Sequence, residues 1–90
     1  MEVRRLVITG YVQGIGYRYS MAMAAHSHGV TGWVRNRRDG SVEAMVAGTA
    51  EQVAAIVAWA RHGPAGAEVE HVAVELGSGD YTDFEQRPTA

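Results

Sequence analysis

In the stretch Gly10-Tyr11-Val12-Gln13-Gly14-Ile15-Gly16-Tyr17-Arg18, the glycine pair Gly14 and Gly16 and the arginine Arg18 stand where an alternating apolar run gives way to helical periodicity. Residues of these types at such a junction can hold an oxyanion. Successive N–H groups in a glycine-permitted bend point into one concavity, and a helix beginning there adds free N–H groups and about +0.5 charge. The planar guanidinium of Arg18 would close the cup with two charge-assisted hydrogen bonds. Each is worth about 1.5–3 kcal/mol, against about 0.3–1 kcal/mol for a helix end alone, so Arg18 is expected to dominate binding. Taken by themselves, these residues leave a plainer reading open, in which Gly14 and Gly16 shape a turn and Arg18 is a solvated first-turn residue.

A second stretch, Gly29-Val30-Thr31-Gly32-Trp33-Val34-Arg35-Asn36, ends just before Asp39-Gly40. Alone, Asn36 reads as a pre-turn residue that satisfies nearby backbone groups. What the chain lacks narrows the chemistry. It has no cysteine, which removes disulfides, thiolate metal sites and a cysteine nucleophile. All eight basic residues are arginine, so neither a Walker A lysine nor Schiff-base catalysis is available. Gly14-Ile15-Gly16 lacks the third glycine and the acidic partner of a dinucleotide fingerprint. The net charge of −2 offers no bulk field for polyanions, so any anion must be caught locally.

The elements that must position these residues follow from the periodicity. Ninety residues make one ordinary domain, residues 1–90, whose core must come from two packed layers. Residues 3–12 read as a central strand, with Leu6, Ile8 and Val12 on one side and Val7, Thr9 and Tyr11 on the other. Tyr17, Met21, Ala24, Ala25 and His28 then recur on one helical face, and Gly29 supplies the stop. Residues 31–37 and 41–47 read as strands flanking Asp39-Gly40, a dipeptide suited to the positive φ angles of a tight hairpin. Thr49 and Gln52 have capping-box spacing, Val53, Ile56, Val57 and Ala60 follow at helical spacing, and Arg61-His62-Gly63-Pro64 ends that helix. Val69, Val72 and Val74 suggest a fourth strand, and residues 81–87 a short fifth with Phe84 inward. The order β-α-β-β-α-β predicts an α+β, ferredoxin-like sandwich: an antiparallel sheet with both helices on one face, plus a short C-terminal edge strand. Right-handed crossovers would place the first and third strands side by side at its centre.

Val12 to Arg18, Ala25, Gly29, Gly32 to Asn36, Asp39-Gly40, Val42-Glu43, Gly63-Pro64 and Phe84 together closely resemble the acylphosphatase family over nearly the whole chain. The family's two signature motifs lie at this separation. The resemblance implies that Arg18 is the phosphate-binding catalytic arginine and that Asn36 orients the nucleophilic water. Gln13, Gly14, Ile15, Gly16 and Tyr17 would then supply backbone contacts to the phosphate beside Arg18. Ile15 and Tyr17 stand where Val and Phe are commoner, and His28 and Gln86 stand where apolar residues are usual. The implied reaction is metal-free hydrolysis of small-molecule acyl phosphates to carboxylate and inorganic phosphate. Such a leaving group, with a conjugate-acid pKa of roughly 4, departs as a stable anion without a general acid.

The expectations are therefore no cofactor, no metal, no nucleic-acid or membrane partner, and a cytoplasmic monomer. The segment from Met1 to Val12 is too short in apolar residues for a signal-peptide core or a membrane span. His26 and His28 would point apart on a helix. Met21, Met23 and Met45 read as packing residues, Trp59 as a helix anchor, Glu43 as an exposed sheet residue, and Arg35, Arg37 and Arg38 as a solvated hairpin tip. Two rival readings are an RNA-recognition module, which shares the element order but needs strand aromatics, and a non-catalytic anion sensor.

Overall fold

The computed structural model, which describes residues 1–90, follows the expected order: β1 (Glu2–Tyr11), α1 (Tyr17–His28), β2 (Thr31–Asn36), β3 (Val42–Gly48), α2 (Ala50–Ala60), β4 (Glu68–Leu76) and β5 (Phe84–Gln86). The strands form one sheet in the order β4-β1-β3-β2-β5. As expected, β1 and β3 are central neighbours. Because β1 and β2 both pair antiparallel with β3, they run the same way and end at the same edge of the sheet. That shared direction brings the residues after β1 and those at the end of β2 together.

Ile8, Val42 and Asn36 are opposed in register across β1, β3 and β2, so their side chains share the face that carries the helices. Leu6, Ile8, Val34, Val42, Ala44, Val46 and Val72 bury that face against Tyr17, Met21, Ala25, Val53, Ile56 and Ala60. On α1 the buried set is Tyr17, Met21, Ala22 and Ala25. His28 and Met23 are exposed, contrary to the packing expected of them: Met23, two residues from both Met21 and Ala25, faces away from the sheet, and His28 lies beyond Ala25, the last residue of α1 that is buried. Gly29, in the left-handed conformation, ends α1 with N–H bonds to the carbonyls of Ala25 and His26. Both capping-box bonds form at α2, where Thr49 Oγ1 accepts from Gln52 N–H at 3.1 Å and Gln52 Oε1 from Thr49 N–H at 2.9 Å.

Three features depart from the sequence-based expectation. The sheet is mixed, since β5 pairs parallel with β2. Strand β4 finishes at the end where β2 begins, so the chain crosses the sheet there and returns alongside β2. The fifth strand covers only Phe84–Gln86, because residues 82–83 form a bend in which the Asp83 carboxylate accepts from Phe84 N–H at 2.8 Å. The β2–β3 hairpin closes through a wider loop than a two-residue turn. Gly40 N–H donates to the Arg37 carbonyl at 3.1 Å, Arg37 N–H to the Ser41 carbonyl at 2.8 Å, and only Gly40 has a positive φ. Asp39 contributes through its carboxylate, which accepts from Ser41 N–H and Oγ at 2.9 and 2.6 Å. The Ser41 hydroxyl, then its N–H, hold the Asp39 carboxyl below its usual pKa.

The face without helices carries a chain of alternating charges. Glu43 is buried, not exposed as its sequence context suggested. Its two oxygens accept from Arg5 Nε at 2.6 Å and Arg35 Nε at 2.7 Å, while Arg5 Nη1 reaches Glu75 at 2.7 Å. Arg35 and Arg87 both lie over the Trp33 ring, at 4.8 and 4.9 Å from its centroid. No helix is long and apolar enough to cross a membrane.

Candidate active site

Between β1 and α1 the chain turns on two glycines in the left-handed region, Gly14 at φ +79° and Gly16 at φ +78°. A Cβ at either position would meet no other atom within 4 Å, so the demand is for backbone conformation and not for space. Gly14, Ile15 and Gly16 lie outside every helix and strand, and their N–H groups donate no backbone hydrogen bond. The first-turn N–H groups of Tyr17, Arg18 and Tyr19 have no acceptor within α1. Gly16 is the N-cap and brings no side-chain cap. A run of unclaimed donors therefore sits at the positive end of α1.

The loop is held in place by its neighbours. Gln13 Nε2 donates to the carbonyls of Arg37 and Ser41, both at 2.8 Å, which ties the bend to the β2–β3 hairpin. Tyr17 is buried, its ring 5.3 Å from that of Trp59, and its hydroxyl donates to the Ala60 carbonyl at 2.7 Å. Burial pushes the Tyr17 phenol well above its usual pKa. Trp59 thus anchors α2 against α1, as its position suggested.

Val12, Gln13, Gly14, Gly16, Tyr17, Arg18, Tyr19, Asn36 and Gln86 line a cleft of about 140 Å³. It is large enough for a phosphoryl group and is open to solvent. Of the residues singled out in the sequence, Gln13, Gly14, Gly16, Tyr17, Arg18 and Asn36 meet there. Ile15 does not line the cleft, because its side chain packs against the core. Tyr17 is 1% exposed and can contribute only backbone to the cleft. Arg18 reaches across the mouth, where Nη1 is 3.4 Å from the Arg87 carbonyl, a long contact that a stronger acceptor would displace.

Gln86, Tyr19 and the segment after β5 are parts of this region that residue types did not point to. Arg87 N–H donates to the Val34 carbonyl at 2.8 Å and Ala90 N–H to the Asn36 carbonyl at 3.0 Å, so this segment continues along β2. The one available signal was Gln86 itself, a polar residue in a strand position where an apolar one was expected.

The donor set limits what the cleft can do. It contains a guanidinium, carboxamides and main-chain N–H groups, and no carboxylate, histidine or cysteine. Such a set binds and orients anions but offers no anionic ligand to a divalent cation and no ordinary acid–base pair. On the opposite face, Trp33 is buried beneath two guanidiniums, so its ring is not free to stack on a base.

Comparison with known proteins gives a consistent result. The family model for Acylphosphatase matches residues 4–86. An acylphosphatase of Thiobacillus denitrificans is 54% identical over 87 residues, covering 97% of this chain and 98% of the relative. One of Cupriavidus pinatubonensis is 49% identical over 89 residues, covering 99% of each. The crystal structure of acylphosphatase from Bacillus subtilis superposes with a TM-score of 0.92 at 29% identity, covering 97% of this chain and 99% of that one.

Proposed function

The chain belongs to the acylphosphatase family, and on that premise we propose that it hydrolyses acyl phosphates without a metal, Arg18 holding the phosphoryl group and Asn36 orienting the attacking water. The observation that carries this reading is the convergence of the Gly14–Gly16 bend, Arg18 and Asn36 on one small cleft, with Asn36 on the helix-bearing face of the sheet.

In this mechanism the phosphoryl oxygens accept from the bend's N–H groups and from the Arg18 guanidinium, which gives up its long contact with the Arg87 carbonyl. The water oxygen, hydrogen-bonded to the Asn36 carboxamide, attacks phosphorus in line. The bond from phosphorus to the acyl oxygen breaks, its electron pair leaves with the carboxylate, and the water's proton ends on phosphate or in solvent. Phosphoryl transfer has a loose transition state with charge spread over the phosphoryl oxygens, so positioning and electrostatics suffice without a strong base. A carboxylate leaves without protonation, which fits a cleft lined by no carboxylic acid or histidine. The substrate is a small-molecule acyl phosphate and the product inorganic phosphate, which should compete for the same cup. A cytoplasmic monomer remains the simplest setting for this activity.

Phosphate release from a small acyl phosphate in the presence of EDTA tests the reading. Wild-type protein should turn over undiminished by the chelator and be inhibited by inorganic phosphate. Arg18→Ala should lose both turnover and phosphate binding, whereas Asn36→Ala should lose turnover, by roughly a hundredfold or more, yet still bind phosphate. Near-normal turnover in either folded variant would refute the assigned role.

A further inference from the structure

The chain has four side-chain carboxamides: Gln13, Asn36, Gln52 and Gln86. Two of them have structural partners, since Gln13 binds the Arg37 and Ser41 carbonyls and Gln52 the Thr49 backbone. The carboxamides of Asn36 and Gln86 make no hydrogen bond within the protein, and both line the candidate active site. The parallel pairing of β2 and β5 explains why they meet. Gln86 is level with Val34, and Asn36 lies two residues beyond Val34 on the same face. Phe84, two residues before Gln86, is buried under α1, so Gln86 projects on the helix-bearing side. Diagonal neighbours on one sheet face are within reach of long side chains.

We propose that Gln86 is a second catalytic carboxamide, which hydrogen-bonds the attacking water together with Asn36. The inference rests on the assignment of Asn36 to the water. Attack in line with the departing carboxylate puts water and acyl group on opposite sides of phosphorus, so a side chain beside Asn36 lies on the water side. A water held by one carboxamide still swings about that bond. A second hydrogen bond from a neighbouring strand restricts the swing and aims a lone pair at phosphorus. Gln86 is exposed and makes no other hydrogen bond, so replacing it does not remove a structural contact.

The test is steady-state kinetics of Gln86→Met, which keeps the length of the side chain and removes its hydrogen bonds, on a small acyl phosphate, beside wild type and Asn36→Ala. The expected result is a kcat lowered about three- to tenfold, the worth of one net hydrogen bond, with KM, the inhibition constant of inorganic phosphate and the melting temperature unchanged. An unchanged kcat would overturn the proposal, as would a matching rise in KM and in the phosphate inhibition constant, which would make Gln86 a phosphate contact. If Asn36→Ala loses turnover while Gln86→Met does not, the inference about Gln86 alone fails. If Asn36→Ala also turns over normally, the assignment of Asn36 fails with it.

Discussion

Arg18 and Tyr17 are adjacent in sequence but do opposite things. Arg18 is half-buried at the mouth of the cleft, held by one long contact, whereas Tyr17 is locked into the core by its hydroxyl bond to the Ala60 carbonyl. The bend is thus fastened directly beneath the residue proposed to hold the anion. Tyr17→Phe should cost about 1–3 kcal/mol in chemical denaturation, because it leaves the Ala60 carbonyl buried without its donor. Its pH dependence has a definite sign. Burial raises the phenol's pKa in the folded state, so the unfolded chain loses that proton first once pH passes about 10. Stability associated with Tyr17 is complete below that point and declines above it. Tyr17→Phe should flatten this alkaline decline, and an unaltered alkaline limb would show that Tyr17 does not cause it.

Among the elements, the bend and α2 solve the problem of the first helical turn differently. Thr49 and Gln52 satisfy the start of α2 with side chains, while α1 begins at Gly16 with none. Under the proposed function, the donors left unclaimed at α1 are the ones that take the phosphoryl oxygens. Thr49→Ala should therefore lower stability by about 1 kcal/mol, a melting-temperature drop of about 4–8 °C, without altering kcat or KM. At Gly16 the constraint is the positive φ, since space is available. Gly16→Ala should cost about 1–2 kcal/mol and Gly16→Asn less, because asparagine enters the left-handed region more readily. Equal losses for alanine and asparagine would mean that room, not conformation, is limiting. The same contrast explains what was legible in the sequence at this scale. Capping box, helix stop and glycine bend depend on residues a few positions apart, and each was read correctly. The exposure of His28 was not, because periodicity gives a helix an apolar stripe without saying where along it the sheet ends.

Across the whole molecule, Glu75, Arg5, Glu43, Arg35, Trp33 and Arg87 form a connected band over the face opposite the helices, running from β4 to the segment after β5. Burial would raise the pKa of Glu43, but its hydrogen bonds from Arg35 and Arg5 outweigh that effect and hold it below the usual carboxylate range. A carboxyl whose pKa is depressed by folding contributes stability above its unfolded pKa, near 4.3, and loses it as pH falls through the lowered folded value. Glu43→Gln should remove part of the acid dependence of unfolding. At neutral pH it should cost about 2 kcal/mol, less than the 3–5 kcal/mol of a fully buried pair, since Arg5 and Arg35 keep 28% and 33% of their side-chain exposure. Denaturation curves at pH 7 and pH 3.5 check both statements, and an undiminished difference between the two pH values would count against Glu43 as its source.

By itself the sequence determined the order of elements, their caps and the residues of the bend, because these depend on local backbone preferences and on side chains within one or two turns of each other. It also placed Arg18 just after β1, at the start of α1, and Asn36 at the end of β2. Only the tertiary structure decided that β5 returns parallel to β2 and carries Gln86 to the cleft, that the side chain of Ile15 packs against the core, and that Glu43 is buried between two arginines. Those outcomes depend on which strand edges and side chains remain to be satisfied once the whole sheet has assembled. Arg5 and Glu43, 38 residues apart, illustrate the point: nothing near either residue specifies the other, and their pairing exists only because β1 and β3 became neighbours.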